Sequence, residues 1–394
     1  MQIYVPRIME KILLKDLETH PVVALLGPRQ CGKTTLVQRL GDQLESSLYR
    51  DLERPRDVRQ FDDPELFLEA NKDRLLILDE VQHLPSLFPV LRGFVDRHNR
   101  AVRLLLLGSS SPNLLKRSSE SLAGRLMYRE LSPLLWQEIH PTADKTDLSL
   151  LKTHWLRGGY PLSVLVDNDS VSYEWRASFL HSMLTRDIPA IGIRVAPLTL
   201  ERFMRMLSLQ HGQILNQTVL GNSLGVTGPT IRHYLEILQG TFHVRILEPW
   251  LANPVKRLIK TPKVYVRDSG LLHALWEAPT FNDMLGHPLF GASWEGYVIE
   301  QLQSRFPHLR AGYYRTASGV EMDLVLEHGR KRMAIETKAS TDPQLTRGFW
   351  TAVDDLQPDQ TLVVAPVETG WPVRHGVQLC SIQEALQRVE DHFG

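Results

Sequence analysis

Between residues 22 and 131 the chain alternates short apolar runs with stretches of helical periodicity. VVALLG (22–27), SLYRDL (47–52), RLLILD (74–79), VRLLLLG (102–108) and RLMYREL (125–131) predict strands. Unbroken apolar strands separated by helices are buried on both faces, so the pattern predicts a parallel sheet with helices on either side. The opening MQIYVPRIMEKILLKDLETH mixes charges into its apolar positions and predicts a first helix rather than a signal peptide. From about 133 to 210 the periodicity is helical, with Phe203, Met206 and Leu207 expected on one stripe of LERFMRMLSLQ.

The pattern changes twice more. Residues 211–275 predict two short helices followed by aliphatic strands carrying proline and basic residues. From about 290 onward a second α/β pattern begins with the helix SWEGYVIEQLQSRF. Strands are expected around 312–316, 321–327 and 333–338, then another helix, a strand at TLVVAP (361–366) and a last amphipathic helix at 382–392. No internal repeat or low-complexity linker interrupts the 394 residues, a length for two to four domains.

Gly27-Pro28-Arg29-Gln30-Cys31-Gly32-Lys33-Thr34 satisfies GxxxxGK[ST], with an apolar strand before it and the helical LVQRL after Thr35. Backbone N–H groups of such a loop face phosphate oxygens, and the following helix adds its dipole. The cofactor-binding set is therefore Gly27, Pro28, Arg29, Gln30, Cys31, Gly32, Lys33, Thr34 and Thr35, for ATP. Lys33 is expected to bridge the β- and γ-phosphates, and the Thr34 hydroxyl to hold Mg²⁺. A chance glycine-rich turn is the competing reading, and the second motif weighs against it. LLILDE (75–80) buries a strand and delivers Asp79 and Glu80 at its carboxyl end, where open parallel sheets bind ligands. Asp79 is expected to hold Mg²⁺ and Glu80 to deprotonate the attacking water.

Two further positions are less specific. VRLLLLG ends in Ser109-Ser110-Ser111, where a polar residue would sense the γ-phosphate or position water; a plain turn explains it as well. Arg125, just before the next strand, is expected to stabilise transition-state charge in cis or from a neighbouring subunit, against the alternative of an ordinary solvated arginine. A trans role would require a homo-oligomer.

The run GPRQCGKTT, LLILDEVQHLP, LLLLGSSS and SLAGR…LSPL resembles the bacterial and archaeal AAA-type "predicted ATPase" group, over nearly the whole chain. That resemblance implies an ATPase with a further C-terminal region.

LNQTVLGNSLGVTGPTIRHYLEILQGTFHVRIL (215–247) has the layout of a helix-turn-helix. Gly225 makes the turn, Thr227 caps a second helix, and Ile231, Leu235 and Leu238 form its inner face. Thr230, Arg232 and His233 would be exposed. FHVRILEPW and KVYVR read as the strands of a wing, and Lys256, Arg257, Lys260, Lys263 and Arg267 lie between 251 and 267 with no acidic residue. A wing of that composition would meet DNA phosphates; a bundle for protein contacts is the alternative.

Glu295 on a predicted helix, Asp323 in GVEMDLVLE, and Glu336 and Lys338 in AIETK form a third set. In a strand, residues two apart share a face, so Glu336 and Lys338 project together. Glu295, Asp323 and Glu336 are expected to bind Mg²⁺, with Lys338 polarising water or the scissile phosphate. The arrangement resembles the PD-(D/E)xK, or restriction-endonuclease-like, fold, including Holliday-junction resolvases, although Asp323 does not follow a proline. A structural domain with merely solvated acids is the alternative.

The expected fold is thus α/β: a P-loop ATPase core over 1–135, a helical lid or linker over 136–210, a winged helix-turn-helix over 211–280 and a restriction-endonuclease-like domain over 281–394. Composition qualifies this only mildly. Lys plus Arg and Asp plus Glu both number 45, which excludes a histone-like cationic blanket but not a local patch. Cys31 and Cys380, far apart, give no disulfide framework, and no apolar run suits a bilayer, so the expected location is the cytoplasm, away from membranes. Three functions compete: an ATP-driven enzyme acting on duplex or branched DNA, a nucleotide switch regulating a protein partner, and a non-enzymatic DNA-binding regulator. Glu80 beside Asp79 argues against the third.

Overall fold

The computed structural model describes residues 4–394 apart from 45, 99–100, 112–121, 123, 142–144, 191–194, 252–257 and 375. Contacts divide the chain into two units. The first comprises residues 1–134, 187–194 and 236–243, and the second comprises the remainder.

The first unit is built on β1 (Val22–Leu26), β2 (Ser47–Asp51), β3 (Leu75–Asp79), β4 (Arg103–Gly108) and β5 (Leu126–Glu130). All run parallel, in the order β2-β3-β4-β1-β5. These are the five runs read as strands. Alternation along them feeds two cores. Val22, Ala24, Leu26, Leu76, Leu78, Leu104 and Leu106 pack with Leu87, Leu91 and Phe94 of one helix (Leu87–Arg97). Val23, Leu25, Ile77, Leu105 and Leu107 pack on the other face with Leu13 of α1 (Met9–Thr19) and Leu36, Val37 and Leu40 of α2 (Lys33–Gln43). Each fully buried leucine or valine contributes roughly 1.5–3 kcal/mol, so the two-faced sheet is a stiff floor for the loops at its carboxyl edge.

The second unit begins with helices, among them Leu148–Arg157, Asp169–Ser182 and Pro197–Ser208. In Pro197–Ser208 the buried stripe is Leu200, Phe203, Met204 and Leu207. The sequence pattern had Met206 in place of Met204; the helix turns Met204, one residue after Phe203, to the core because i+3 and i+4 both face inward. A three-stranded antiparallel sheet follows, β6 (Gln213–Ile214), β7 (Val244–Leu247) and β8 (Lys263–Val266), in the order β6-β8-β7. Between β6 and β7 lie two helices, Gln217–Leu224 and Gly228–Gly240. Gly225, at φ +65°, makes the turn between them, Thr227 Oγ1 accepts from the Thr230 N–H at 3.4 Å, and Ile231, Leu235 and Leu238 are buried.

α3 (Phe290–Arg305) then leads into a six-stranded sheet. Its strands are β9 (Arg310–Arg315), β10 (Glu321–His328), β11 (Lys331–Thr337), β12 (Gln360–Val364), β13 (Trp371–Arg374) and β14 (Val377–Cys380), in the order β13-β14-β12-β11-β10-β9. β9–β10–β11 is an antiparallel meander, while β11, β12 and β14 run parallel. The helix Arg347–Leu356 covers one face through Phe349, Ala352 and Leu356. α3 and the last helix, Ile382–Phe393, supply Trp294, Val298, Leu302, Leu386 and Val389 to the core on the other. β6, only two residues long, β13, exposed at every position, and β14 are not among the strands the sequence pattern predicts. Cys31 and Cys380 are both free and buried. Among the described residues no helix is long and apolar enough to cross a membrane.

Candidate functional site

The 27–34 loop leaves β1 at the carboxyl edge of the first sheet and enters α2. Gln30 (φ +60°) and Gly32 (φ +100°) both adopt left-handed backbone, which curls the loop's N–H groups inward. A Cβ at Gly27 would lie 2.2 Å from the Leu131 carbonyl oxygen, so only glycine fits there. Lys33, 5% exposed, donates through Nζ to the carbonyls of Gly27 (2.9 Å) and Pro28 (2.8 Å). Cys31 is buried and donates its thiol to the Leu131 carbonyl; burial pushes its pKa up, which keeps it unreactive. Thr35 is exposed. Arg7, which sequence reasoning passed over, is buried and donates to the carbonyls of Cys31 (2.9 Å) and Ser132 (2.6 Å).

Thr34 and Asp79 meet beside this loop. Thr34 Oγ1 donates to Asp79 Oδ2 at 2.7 Å, and the Tyr49 hydroxyl donates to the same oxygen at 2.7 Å. Burial raises the Asp79 carboxyl above its ordinary range, the two hydroxyls opposing that. The other oxygen, Oδ1, accepts the Glu80 N–H at 2.9 Å. Glu80 itself sits in left-handed backbone (φ +54°), an unusual conformation that turns its side chain out of the strand line. Gln82 Nε2 donates both to Glu80 Oε2 and, at 3.1 Å, to Ser109 Oγ. Ser109 is thus joined to the acidic motif; Ser110 Oγ is buried without a partner among the described residues, and the Ser111 N–H donates to the Gly240 carbonyl at 2.7 Å. Arg29 pairs with Glu53 (2.8 Å) and Asp187 (2.9 Å), and His83 lies 3.2 Å from Glu53.

Arg125 lies elsewhere. In register, Leu126 pairs with Val22 and Glu130 with Leu26, so Arg125 stands at the amino edge of the sheet. A five-residue strand at about 3.3 Å per residue puts about 16 Å between that edge and the phosphate loop. The arginine is instead held by Asp96, at 2.6 and 2.9 Å. A cis role on phosphate is corrected by this placement: the residue precedes its strand, and the loop follows a parallel one.

In the second unit the C-terminal acids gather around two lysines. Lys263 Nζ, on β8, lies 2.8 Å from Glu295 of α3 and 2.7 Å from Glu321 of β10. The Tyr265 hydroxyl donates to Glu295 at 2.5 Å. Asp323 Oδ2 accepts from the Thr337 N–H and Oγ1, both at 2.8 Å, and Lys338 pairs with Glu336 at 2.6 Å. Burial raises the Glu295 carboxyl to about 7, with Lys263 opposing, and burial with nearby Asp323 raises Glu336. The expected trio does not form a ligand set. Among the described residues, the one group of three donors within 4.8 Å of one another is Glu53, Glu80 and His83, not Glu295, Asp323 and Glu336. Each of those three carboxylates accepts from a donor of this chain through one oxygen, while Glu336 Oε2 has no partner among the described residues. Glu321 and Tyr265 were missed, although both stand two residues from a residue already singled out (Asp323 and Lys263) and so share its strand face.

The basic stretch also resolves differently. Lys263 is 2% exposed, and Arg267, 9% exposed, pairs with Glu300 of α3 at 2.7 Å. Arg245 of β7 pairs with the same Glu300 at 2.7 Å. The two arginines, against the cost of burial, hold Glu300 down to about 2. Lys260 is exposed, and Lys256 and Arg257 lie outside the described residues. Lys263 and Arg267 are therefore not part of a surface patch: strand alternation turns them toward α3. Arg232 and His233 are exposed and Thr230 half-buried.

Residues 19–140, which hold the whole phosphate site, match the model of an AAA domain. Uncharacterized protein Rv2008c of Mycobacterium tuberculosis is 38% identical over 362 residues, covering 92% of this chain and 80% of that one. The chain belongs to its family. Uncharacterized protein Mb2031c of Mycobacterium bovis matches with the same identity and coverage. Beyond its AAA domain, this family member matches two domains of unknown function, over residues 148–282 (DUF8612) and 290–385 (DUF4143). The Walker-type ATPase PABY2304 of Pyrococcus abyssi is 14% identical, covers 69% of this chain and 96% of its own, and superposes with a TM-score of 0.49. The chain is an AAA-type predicted ATPase with a P-loop ATPase fold in its first unit. That fold implies nucleotide binding with Mg²⁺.

Proposed function

We propose that this protein hydrolyses ATP at the carboxyl edge of its first sheet and uses the cycle as a conformational switch. The observation that carries the reading is the Thr34–Asp79 contact at 2.7 Å, set between Lys33 and Glu80. Two hard oxygen donors on one side of a phosphate loop suit Mg²⁺. A bound Mg²⁺ would neutralise phosphate charge there. Lys33 exchanges its two carbonyl contacts for phosphate oxygens, and the loop N–H groups hold the remainder. Glu80 takes the proton of the attacking water, with Gln82 holding its carboxylate toward Ser109. Lys33→Ala abolishes nucleotide binding or turnover; an unchanged ATPase rate in that variant overturns the assignment.

For what the switch acts on, a protein partner is favoured over DNA, because Arg245, Lys263 and Arg267 are committed to α3 rather than offered to phosphates. One observation supports the DNA reading. The order Pro197–Ser208, β6, Gln217–Leu224, Gly228–Gly240, β7, β8 supports the reading of a winged helix-turn-helix, and Arg232 and His233 of the helix Gly228–Gly240 are exposed. ATP turnover measured with and without single-stranded, duplex and four-way-junction DNA separates the two. Stimulation by any of them refutes the protein-switch reading. A homo-oligomer remains compatible with either.

The order α3, β9, β10, β11, Arg347–Leu356, β12 supports a restriction-endonuclease-like fold for the last part. Among the described residues Glu295, Asp323 and Glu336 do not gather into one ligand set, and Glu295 is already held by the Lys263 ammonium and Tyr265, so this donor set does not fit a divalent ion.

A further inference from the structure

We propose that the Lys263 ammonium is the resident cation of the C-terminal acid cluster, standing where a divalent metal would otherwise sit, so that the cluster is a permanent joint between two sheets and not a nuclease centre. The placement is tight. Lys263 Nζ contacts carboxylates from two different elements, Glu295 of α3 at 2.8 Å and Glu321 of β10 at 2.7 Å. The lysine side chain is 3% exposed, so no water competes effectively for those contacts. Glu295 also accepts from Tyr265, two residues along the same face of β8, and Glu321 also accepts from Arg315 at 3.2 Å.

Charge accounting supports the same conclusion. Four acids, Glu295, Glu321, Asp323 and Glu336, meet three cations, Lys263, Arg315 and Lys338. A divalent ion entering this site would have to sit against a fixed ammonium. Glu336 Oε2 is the buried carboxylate oxygen of the cluster left without a partner among the described residues. Water can complete a Mg²⁺ shell, so what disfavours the ion here is the Lys263 ammonium already set between Glu295 and Glu321, not a shortage of oxygen donors. A second joint lies one helical stretch further along α3, where Glu300 takes Arg245 of β7 and Arg267 after β8. The three-stranded sheet is thereby fastened to α3 at two acids five residues apart, which suits a body that transmits motion rather than one that opens around a substrate.

Mn²⁺ titration of the nucleotide-free full-length chain by calorimetry tests this, comparing the native protein with Asp323→Asn and Lys263→Met. Asparagine keeps an acceptor for Thr337, so the first variant is conservative. The expected result is equal Mn²⁺ stoichiometry in the native chain and Asp323→Asn, and one additional ion in Lys263→Met that is lost again when Asp323→Asn is added. Lys263→Met should also lower the thermal midpoint by about 6–20 °C, as loss of one partner from a buried ion pair does in a chain of this size. An ion bound by the native chain and missing from Asp323→Asn overturns the proposal, as do Mg²⁺-dependent nicks in supercoiled DNA that Asp323→Asn abolishes. A folded Lys263→Met that gains no ion overturns the claim that the lysine stands in a metal's place. Where Lys263→Met fails to fold, the native and Asp323→Asn comparison decides alone.

Discussion

Arg7 offers the sharpest test of how the phosphate loop is held. Its guanidinium is buried and donates to the carbonyl of Cys31, inside the loop, and to that of Ser132, just past β5. Hydrogen bonds to a charged group contribute about 1.5–3 kcal/mol each, so two give about 3–6 kcal/mol. Relief of the buried charge on deletion offsets part of this, leaving about 2–4 kcal/mol for Arg7→Ala. For a unit of this size, that lowers the thermal midpoint by about 4–16 °C. Because one of the two carbonyls belongs to the loop, ATP affinity should fall as well, by about tenfold for each 1.4 kcal/mol of loop order lost. Arg7→Lys should recover only part of either effect, since a single ammonium does not reproduce a forked donor reaching two separate carbonyls. Differential scanning calorimetry and ATP titration of the three proteins give the answer. An Arg7→Ala chain that melts within a degree of the native one and binds ATP equally well refutes the clamp.

Other outcomes follow from the same geometry. Glu80→Gln should lower kcat by about 10²–10⁴-fold while nucleotide still binds; single-turnover assays and ATP titration check this, and wild-type turnover would remove Glu80 as the base. Arg125→Ala should leave kcat within twofold at protein concentrations where the chain is monomeric, because the residue stands at the far edge of the sheet; a large loss there would contradict that placement. His211 and His273 are buried, which holds them at about 3, so the unfolded chain alone binds their protons below about 6.5, and stability is lost as pH falls. Asp268 and Glu295, raised by burial to about 6 and about 7, bind protons first in the folded chain, with the opposite slope. The two pairs oppose one another between about pH 4.5 and 6, and Glu336, raised chiefly by burial to about 8, adds to the side of the acids, so urea midpoints should not fall across that window and should fall only below it. A steady decline from pH 6.5 would contradict the assignment of the buried acids.

The first unit was the more legible half because its signals are local. Its five strands announce themselves as unbroken apolar runs, and the glycine, lysine and threonine of the loop are contiguous. What the sequence cannot carry there is long-range: Arg7 reaches Ser132 across 125 positions, and Tyr49 reaches Asp79 across 30. Arg125 misled for a related reason. Its position before an apolar run was plain, but only strand order and direction show at which edge of the sheet it emerges. In the second unit, the residues Glu295, Asp323, Glu336 and Lys338 do converge on one neighbourhood, as the helix-and-strand spacing suggested. The cation at its centre comes from a segment read as a wing, and nothing in KVYVR distinguishes a lysine that meets phosphate from one that meets glutamate.

That ambiguity bears on the chain's exact charge balance, 45 against 45. A basic cluster without acidic neighbours in sequence looks like a surface for an anion. Here the neighbours arrive through folding: Glu295 and Glu321 for Lys263, Glu300 for Arg245 and Arg267. Burial makes such pairs obligatory, since an unpartnered ion in the interior costs several kcal/mol while the pair itself adds little net stability. Their value lies in specificity: three cations on one small sheet can be satisfied only if α3 presents its acids in one register. A device of that kind fixes how β7 and β8 sit on α3, so a displacement at one reaches the other without slippage. Such rigidity suits the nucleotide-driven switch proposed above, and it leaves Arg245, Lys263 and Arg267 engaged by glutamates rather than offered to phosphates.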